Sequence, residues 1–147
     1  MGMPGHRFSY PFFEPPGGFP RPYLPIRLTN PQNGKVFTWD CMIDTGADTC
    51  LFSRSLAEAL GHNLTGKGVK HSLSCGVEGS PLLTWKHTFI LELLHPRQPH
   101  QVVWRGRRQK IECVHHDHFP PLLGVQDFLQ YFKVTLDYHK GVTTLEW

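Results

Sequence analysis

Asp44, Thr45, Gly46, Ala47 and Asp48 follow directly behind the apolar pair Met42 and Ile43, and the chain carries this arrangement once. A carboxylate delivered on a tight turn at the end of an apolar run is placed to act as a general base on water. Alone it is weak at its ordinary pKa, whereas two carboxylates about 3 Å apart share a proton and supply base and acid together. With one Asp-Thr-Gly per chain, the second Asp44 has to come from a second copy, which predicts a C2 homodimer with the active site on its two-fold axis. Gly46 is expected to let the backbone turn with no Cβ in the way. Without the second copy, Asp44 would merely cap a turn.

The elements that must position this loop are short and extended. YLPIRL and KVFTWDCMI, separated by the turn residues NPQNG, form a predicted hairpin in which Val36, Thr38 and Asp40 alternate with Phe37, Trp39 and Cys41. Ser55-Leu-Ala-Glu58 has capping-box spacing, and SLAEALG ends in a glycine suited to the position after a helix, so a short helix follows. LLTWKHTFILELL predicts a long strand with Leu83, Trp85, His87, Phe89 and Leu91 on one face. QDFLQYF predicts a second short helix with Asp127 as its N-cap, and KVTLDY-HKG-VTTLEW a closing hairpin with Asp137 as a turn charge. The sum is an all-β domain with one or two short helices, spanning residues 22–147. Residues 1–21, rich in Pro, Gly and aromatics, are expected to be a flexible N-terminal arm.

At 147 residues and 39% hydrophobic composition the chain can bury one core. Its net charge of +3 is spread thinly apart from Arg105-Gly-Arg107-Arg108 and Lys110, which points to a solvated loop and to no nucleic-acid partner. No apolar run approaches spanning length, and His6 stands where a myristoylation signal wants Ser or Thr, so no membrane association is expected. Cys41, Cys50, Cys75 and Cys113 form no CxxC pair, which suits a reducing, cytoplasmic setting. In Cys113-Val-His-His-Asp-His118, strand alternation would put Cys113, His115 and Asp117 on one side and His116 and His118 on the other, a poor metal set. No metal and no cofactor are expected.

Three segments occur in a telling order: MIDTGAD at 42–48, SCGVEGSP at 74–81 and LLGVQDFLQYF at 122–132. In these the sequence resembles the retropepsin-like (retroviral-type) aspartic proteases in their single-lobe form. The resemblance implies a closed, barrel-like β fold and an aspartic endopeptidase acting on a peptide or protein substrate. It makes Asp44 the catalytic carboxylate, Thr45 the residue whose hydroxyl bonds across to the opposite loop, and Gly46 an acceptor of substrate backbone. Ala47 and Asp48 would line the cleft. Gly76, Val77, Glu78 and Gly79 would form the tip of a flap closing over the substrate, and Leu122, Leu123 and Gly124 a strand threaded behind the catalytic loop. Large apolar side chains on both sides of the cut are favoured by such clefts, so Tyr10-Pro-Phe12-Phe13 in the arm is a candidate for self-cleavage or self-inhibition.

The chain departs from the family pattern in two places. Val125 stands where many retroviral enzymes carry an Arg that braces the second Asp of DTGAD, here Asp48. The stretch at 95–110 looks like an enlarged loop. The alternative reading is a non-catalytic peptide-binding or dimerisation module on the same fold.

Overall fold

Residues 5–75 and 81–147 are described by the structure, a computed structural model. In chain order the strands are β1 (Arg7–Pro11), β2 (Tyr23–Thr29), β3 (Val36–Ile43), β4 (Leu51–Phe52), β5 (His71–Cys75), β6 (Pro81–Leu94), β7 (Val102–Arg105), β8 (Gln109–Cys113), β9 (Leu122–Leu123), β10 (Lys133–Asp137) and β11 (Val142–Glu146). One helix, α1 (Arg54–Ala59), follows β4, and a single 3-10 turn covers Leu129–Tyr131.

Alternation decides which side of each strand is buried. In β2, Leu24, Ile26 and Leu28 are fully buried while the residues between them are half-exposed, the period of two that a pleated strand imposes. β2 and β3 pair antiparallel from Tyr23 opposite Met42 to Thr29 opposite Val36. Asn30 closes their turn, its Oδ1 accepting from the Gln32 N–H at 3.0 Å, while its Nδ2 donates to the Leu60 carbonyl at 2.9 Å and ties the turn to the end of α1.

The larger sheet runs β2-β3-β9-β4-β8-β6-β5, with β7 added on β6, and β2 also pairs with β6, so six of these strands close into a barrel. Inside it Phe52 and Phe89 meet edge to face at 5.1 Å, surrounded by Leu24, Ile26, Leu91, Leu93, Ile111 and Leu123. Each such aliphatic side chain contributes about 2 kcal/mol on burial. Glu92, almost fully buried, is compensated by Arg27, whose Nε and Nη2 both lie 3.0 Å from its Oε1, with Arg105 at 3.8 Å from Oε2. Among the described residues Cys41, Cys50 and Cys113 are free, buried thiols, and burial pushes that of Cys50 up to about 12. No helix among the described residues is long and apolar enough to cross a membrane.

Several local expectations change. The first 21 residues are not a loose arm throughout: β1 pairs with β11, which sits between β1 and β10 in a three-stranded sheet. Tyr10 anchors it, 2% exposed, with its hydroxyl donating to the Leu94 carbonyl at 2.7 Å. The prolines do not forbid this, because β1 is an edge strand and Pro11 is its last residue. A buried Tyr10 also removes Tyr10-Pro-Phe12-Phe13 as a segment the folded chain can offer to a cleft. α1 is capped by Ser53, whose Oγ accepts from the Leu56 N–H at 3.4 Å. Glu58 therefore makes no capping box with Ser55 and pairs with Arg54 instead, at 2.8 Å. The 95–110 stretch is partly ordered as β7, whose Trp104 packs edge on against Phe128 and Phe132.

Candidate active site

β3 carries the apolar lead-in and releases the chain at Asp44. What fixes this point is β9, a two-residue strand inserted between β3 and β4: Met42 and Ile43 pair parallel with Leu122 and Leu123, while Leu51 pairs antiparallel with Leu122. The Asp44 N–H donates to the Leu123 carbonyl at 3.1 Å. The turn then closes on itself, Ala47 N–H to Asp44 carbonyl at 3.2 Å, and the Gly46 N–H donates to Asp44 Oδ1 at 3.0 Å. One carboxylate oxygen is thereby oriented by the loop's own backbone. Asp44 is half-buried, Thr45 and Gly46 are exposed, and Ala47 is half-buried.

Beyond the turn the chain is laced to the segment after β9. Val125 and Gln126 donate their N–H groups to the carbonyls of Ala47 and Asp48 at 2.9 and 2.8 Å. The Gly124 N–H donates to Cys50 Sγ at 3.3 Å, and the Cys50 N–H to Asp127 Oδ2 at 2.8 Å. Asp127 is therefore not a helix N-cap as expected; Phe128 holds that position ahead of the 3-10 turn Leu129–Tyr131, with no side-chain cap. Its burial raises the Asp127 carboxyl above the ordinary range, against the pull of the Cys50 N–H.

The glycine requirement also moves. Gly46 does not have a positive φ, and a Cβ there would make an ordinary contact of 3.4 Å with Asp44 Oδ1. At Gly124 a Cβ would collide with the Thr49 carbonyl group and reach 2.8 Å from the Cys50 nitrogen. Backbone crossing is thus tightest at Gly124, while at Gly46 a side chain would meet only the Asp44 oxygen that the Gly46 N–H already holds.

β5 and the start of β6 form a hairpin, with Leu73 opposite Leu83 and Cys75 opposite Pro81. Leu73 is 72% and Leu83 37% exposed, an apolar pair facing outward near the hairpin's end. The expected flap tip, Gly76, Val77, Glu78 and Gly79, lies outside the described residues. Asp48 is exposed, and Val125 places its side chain at the surface while its backbone does the bracing.

The histidine-rich segment does not continue as a strand, since β8 stops at Cys113. Asp117 turns to the start of α1 and accepts from the Ser55 N–H and hydroxyl at 2.9 and 2.6 Å, which holds its carboxyl below the ordinary range. Among the described residues no group of His, Cys, Asp or Glu side chains is arranged to hold a metal ion. An open groove of about 470 Å³ beside Trp39, Asp117, Phe119 and Pro121 includes no residue of the Asp44 loop in its lining.

The solved structure of a retropepsin-like aspartic protease from Rickettsia conorii superimposes on the chain with a TM-score of 0.57 and 17% identity, covering 100% of this chain and 97% of that one. The fold is retropepsin-like. No family model matches the sequence, and no curated protein matches it. A retropepsin-like fold agrees with the barrel closure and with β9 running between β3 and β4.

Glu112 and Asp127 escaped the sequence reading as parts of this site. Glu112 lies between buried Ile111 and Cys113, so alternation alone turns it away from the core and toward the loop. Asp127 carries no comparable local signal, because its partner Cys50 is 77 residues away.

Proposed function

We propose that the protein is an aspartic endopeptidase that works as a homodimer, each copy contributing one Asp44 to a shared site. The observation that carries this reading is the half-buried Asp44 carboxylate, held by the Gly46 N–H on a turn pinned by β9. A second copy meeting the first at this loop brings two carboxylates together, with the exposed Thr45 of each loop available to the other.

In that arrangement one Asp44 takes the proton of a water while the other, protonated, donates to the scissile carbonyl. The attack yields a tetrahedral diol. Collapse passes a proton to the leaving amine and returns the pair to its singly protonated state. Gly46 accepts substrate backbone, Ala47 and Asp48 line the cleft, and an extended peptide pairs as an added strand. The exposed Leu73 and Leu83 of the hairpin offer apolar contact to large side chains flanking the cut. Leu122, Leu123 and Gly124 hold the loop from behind.

The test is Asp44→Asn, which keeps the shape and the acceptor for the Gly46 N–H but cannot ionise. Native protein should cut a diverse peptide mixture and the variant should not, with the thermal midpoint and the dimer mass unchanged. A native protein that binds peptides without cutting them, as a dimer, would favour the non-catalytic module.

A further inference from the structure

Glu112 stands where three parts of the site meet. From β8 its Oε2 accepts from the Thr49 hydroxyl at 3.3 Å, and its Oε1 from the Ser72 hydroxyl at 3.1 Å. Thr49 belongs to the stretch that leaves the Asp44 turn, and Ser72 to β5, the first strand of the hairpin. The Ser72 Oγ also lies 3.0 Å from the Oγ1 of the fully buried Thr84 on β6, the second strand, and the Thr84 hydroxyl has the Ser72 carbonyl as an acceptor at 3.3 Å. A continuous polar chain thus runs from the Asp44 loop through Glu112 into both strands of the hairpin. The hairpin's second strand also joins the barrel through the β6–β8 ladder, in which Trp85 is opposite Cys113 and Lys86 opposite Glu112.

We propose that Glu112 is a positioning residue that sets the hairpin's seat relative to Asp44, so that a bound peptide meets the floor and the hairpin at a fixed separation. This rests on the reading of the chain as a peptidase. Two hydroxyls sharing one carboxylate, at 3.3 and 3.1 Å, hold the two elements at a defined angle through a common acceptor. Loss of the carboxylate leaves Thr49 and Ser72 without that common acceptor, and the hairpin gains freedom to pivot. Peptide binding suffers, because ordering the hairpin is then charged against it, while the chemistry at Asp44 does not.

The experiment compares native protein, Glu112→Ala, Ser72→Ala and Glu112→Gln in the full chain, by peptide-cleavage kinetics and by amide hydrogen exchange. Glu112→Ala and Ser72→Ala should raise KM by about tenfold and leave kcat within about twofold. Glu112→Gln should restore KM to within about threefold, since its amide still accepts from one hydroxyl and can donate to the other. Exchange at Ser72, Leu73 and Thr84 should quicken by about tenfold in the alanine variants, with Ile26 and Leu28 in β2 unmoved. Native exchange in Glu112→Ala, or quickening spread evenly over β2 as well, would overturn the proposal. If native protein cuts nothing, the peptidase reading fails, and the exchange pattern alone still decides whether Glu112 seats the hairpin.

Discussion

The Cys50 N–H and the Asp127 carboxylate meet at 2.8 Å, joining the stretch that leaves the Asp44 turn to the one that follows β9. Val125 cannot supply a side-chain brace, so this bond and the two backbone bonds from Val125 and Gln126 do the bracing. Asp127→Ala leaves the Cys50 N–H without that acceptor and should cost about 1–3 kcal/mol in chemical denaturation. Asp127→Asn keeps an accepting oxygen and should recover most of the loss.

The two glycines of the site should separate fold from access. Gly124→Ala forces a Cβ into the Thr49 carbonyl group, and should lower the thermal midpoint by several degrees or prevent folding. Gly46→Ala meets only Asp44 Oδ1 at 3.4 Å, so the fold should survive with a near-native midpoint. Peptide cleavage should nonetheless fall, because the added methyl sits against the Asp44 oxygen that the loop orients. Calorimetry beside a cleavage assay reads both arms.

Acid should weaken the fold through His62. Its ring is buried beside His87 at 4.7 Å, with Nε2 on the Thr88 carbonyl at 3.0 Å, and burial, followed by the nearby His87, pushes its pKa from 6.5 down to about 4. Below pH 6.5 the unfolded chain takes up a proton that the folded one refuses, so stability is fully present above that value and declines until the pH reaches about 4. Allowing for partial solvent access, the loss is about 2 kcal/mol. His62→Gln should flatten the fall in denaturation midpoint between pH 6.5 and 4; an unchanged slope would assign it to other groups.

Removing residues 1–20 should destabilise the chain. The deletion takes away the buried Tyr10, its bond to Leu94 and the whole β1 edge of the β1-β11-β10 sheet. A midpoint drop equivalent to about 3 kcal/mol is expected. Tyr10→Phe, which removes only the hydroxyl and leaves the Leu94 carbonyl without it, should cost about 1 kcal/mol. β11 lies between β1 and β10, so cutting away Val142 to Trp147 should likewise damage the subunit itself, beyond any effect on association.

The parts legible in the sequence were those with local patterns. β2, β3, β6 and the closing hairpin announce themselves by alternation and turn residues, and Gly61 ends α1 with a φ of +80° as a glycine there should. β1 was hidden because Tyr10 is its one buried residue, too little for a period to show among prolines. The distinction between Gly46 and Gly124 was equally invisible: each sits beside apolar residues, and only the nearness of Thr49 to Gly124 tells them apart. Asp127 was assigned to the helix that follows it because short-range rules know nothing of Cys50.

The insertion of β9 between β3 and β4 has a bearing on how the protein comes into being. Gly124 and Cys50, bonded in the finished site, are 74 residues apart in the chain. Contacts across such a separation form late and slowly, after shorter hairpins have closed. During synthesis the Asp44 loop therefore emerges well before the strand that gives it shape, and a ribosome-bound fragment ending ahead of Leu122 holds the carboxylate without its lattice. Under the proposed peptidase reading the chemistry is latent until Leu122 to Gly124 have been made, a delay written into the topology.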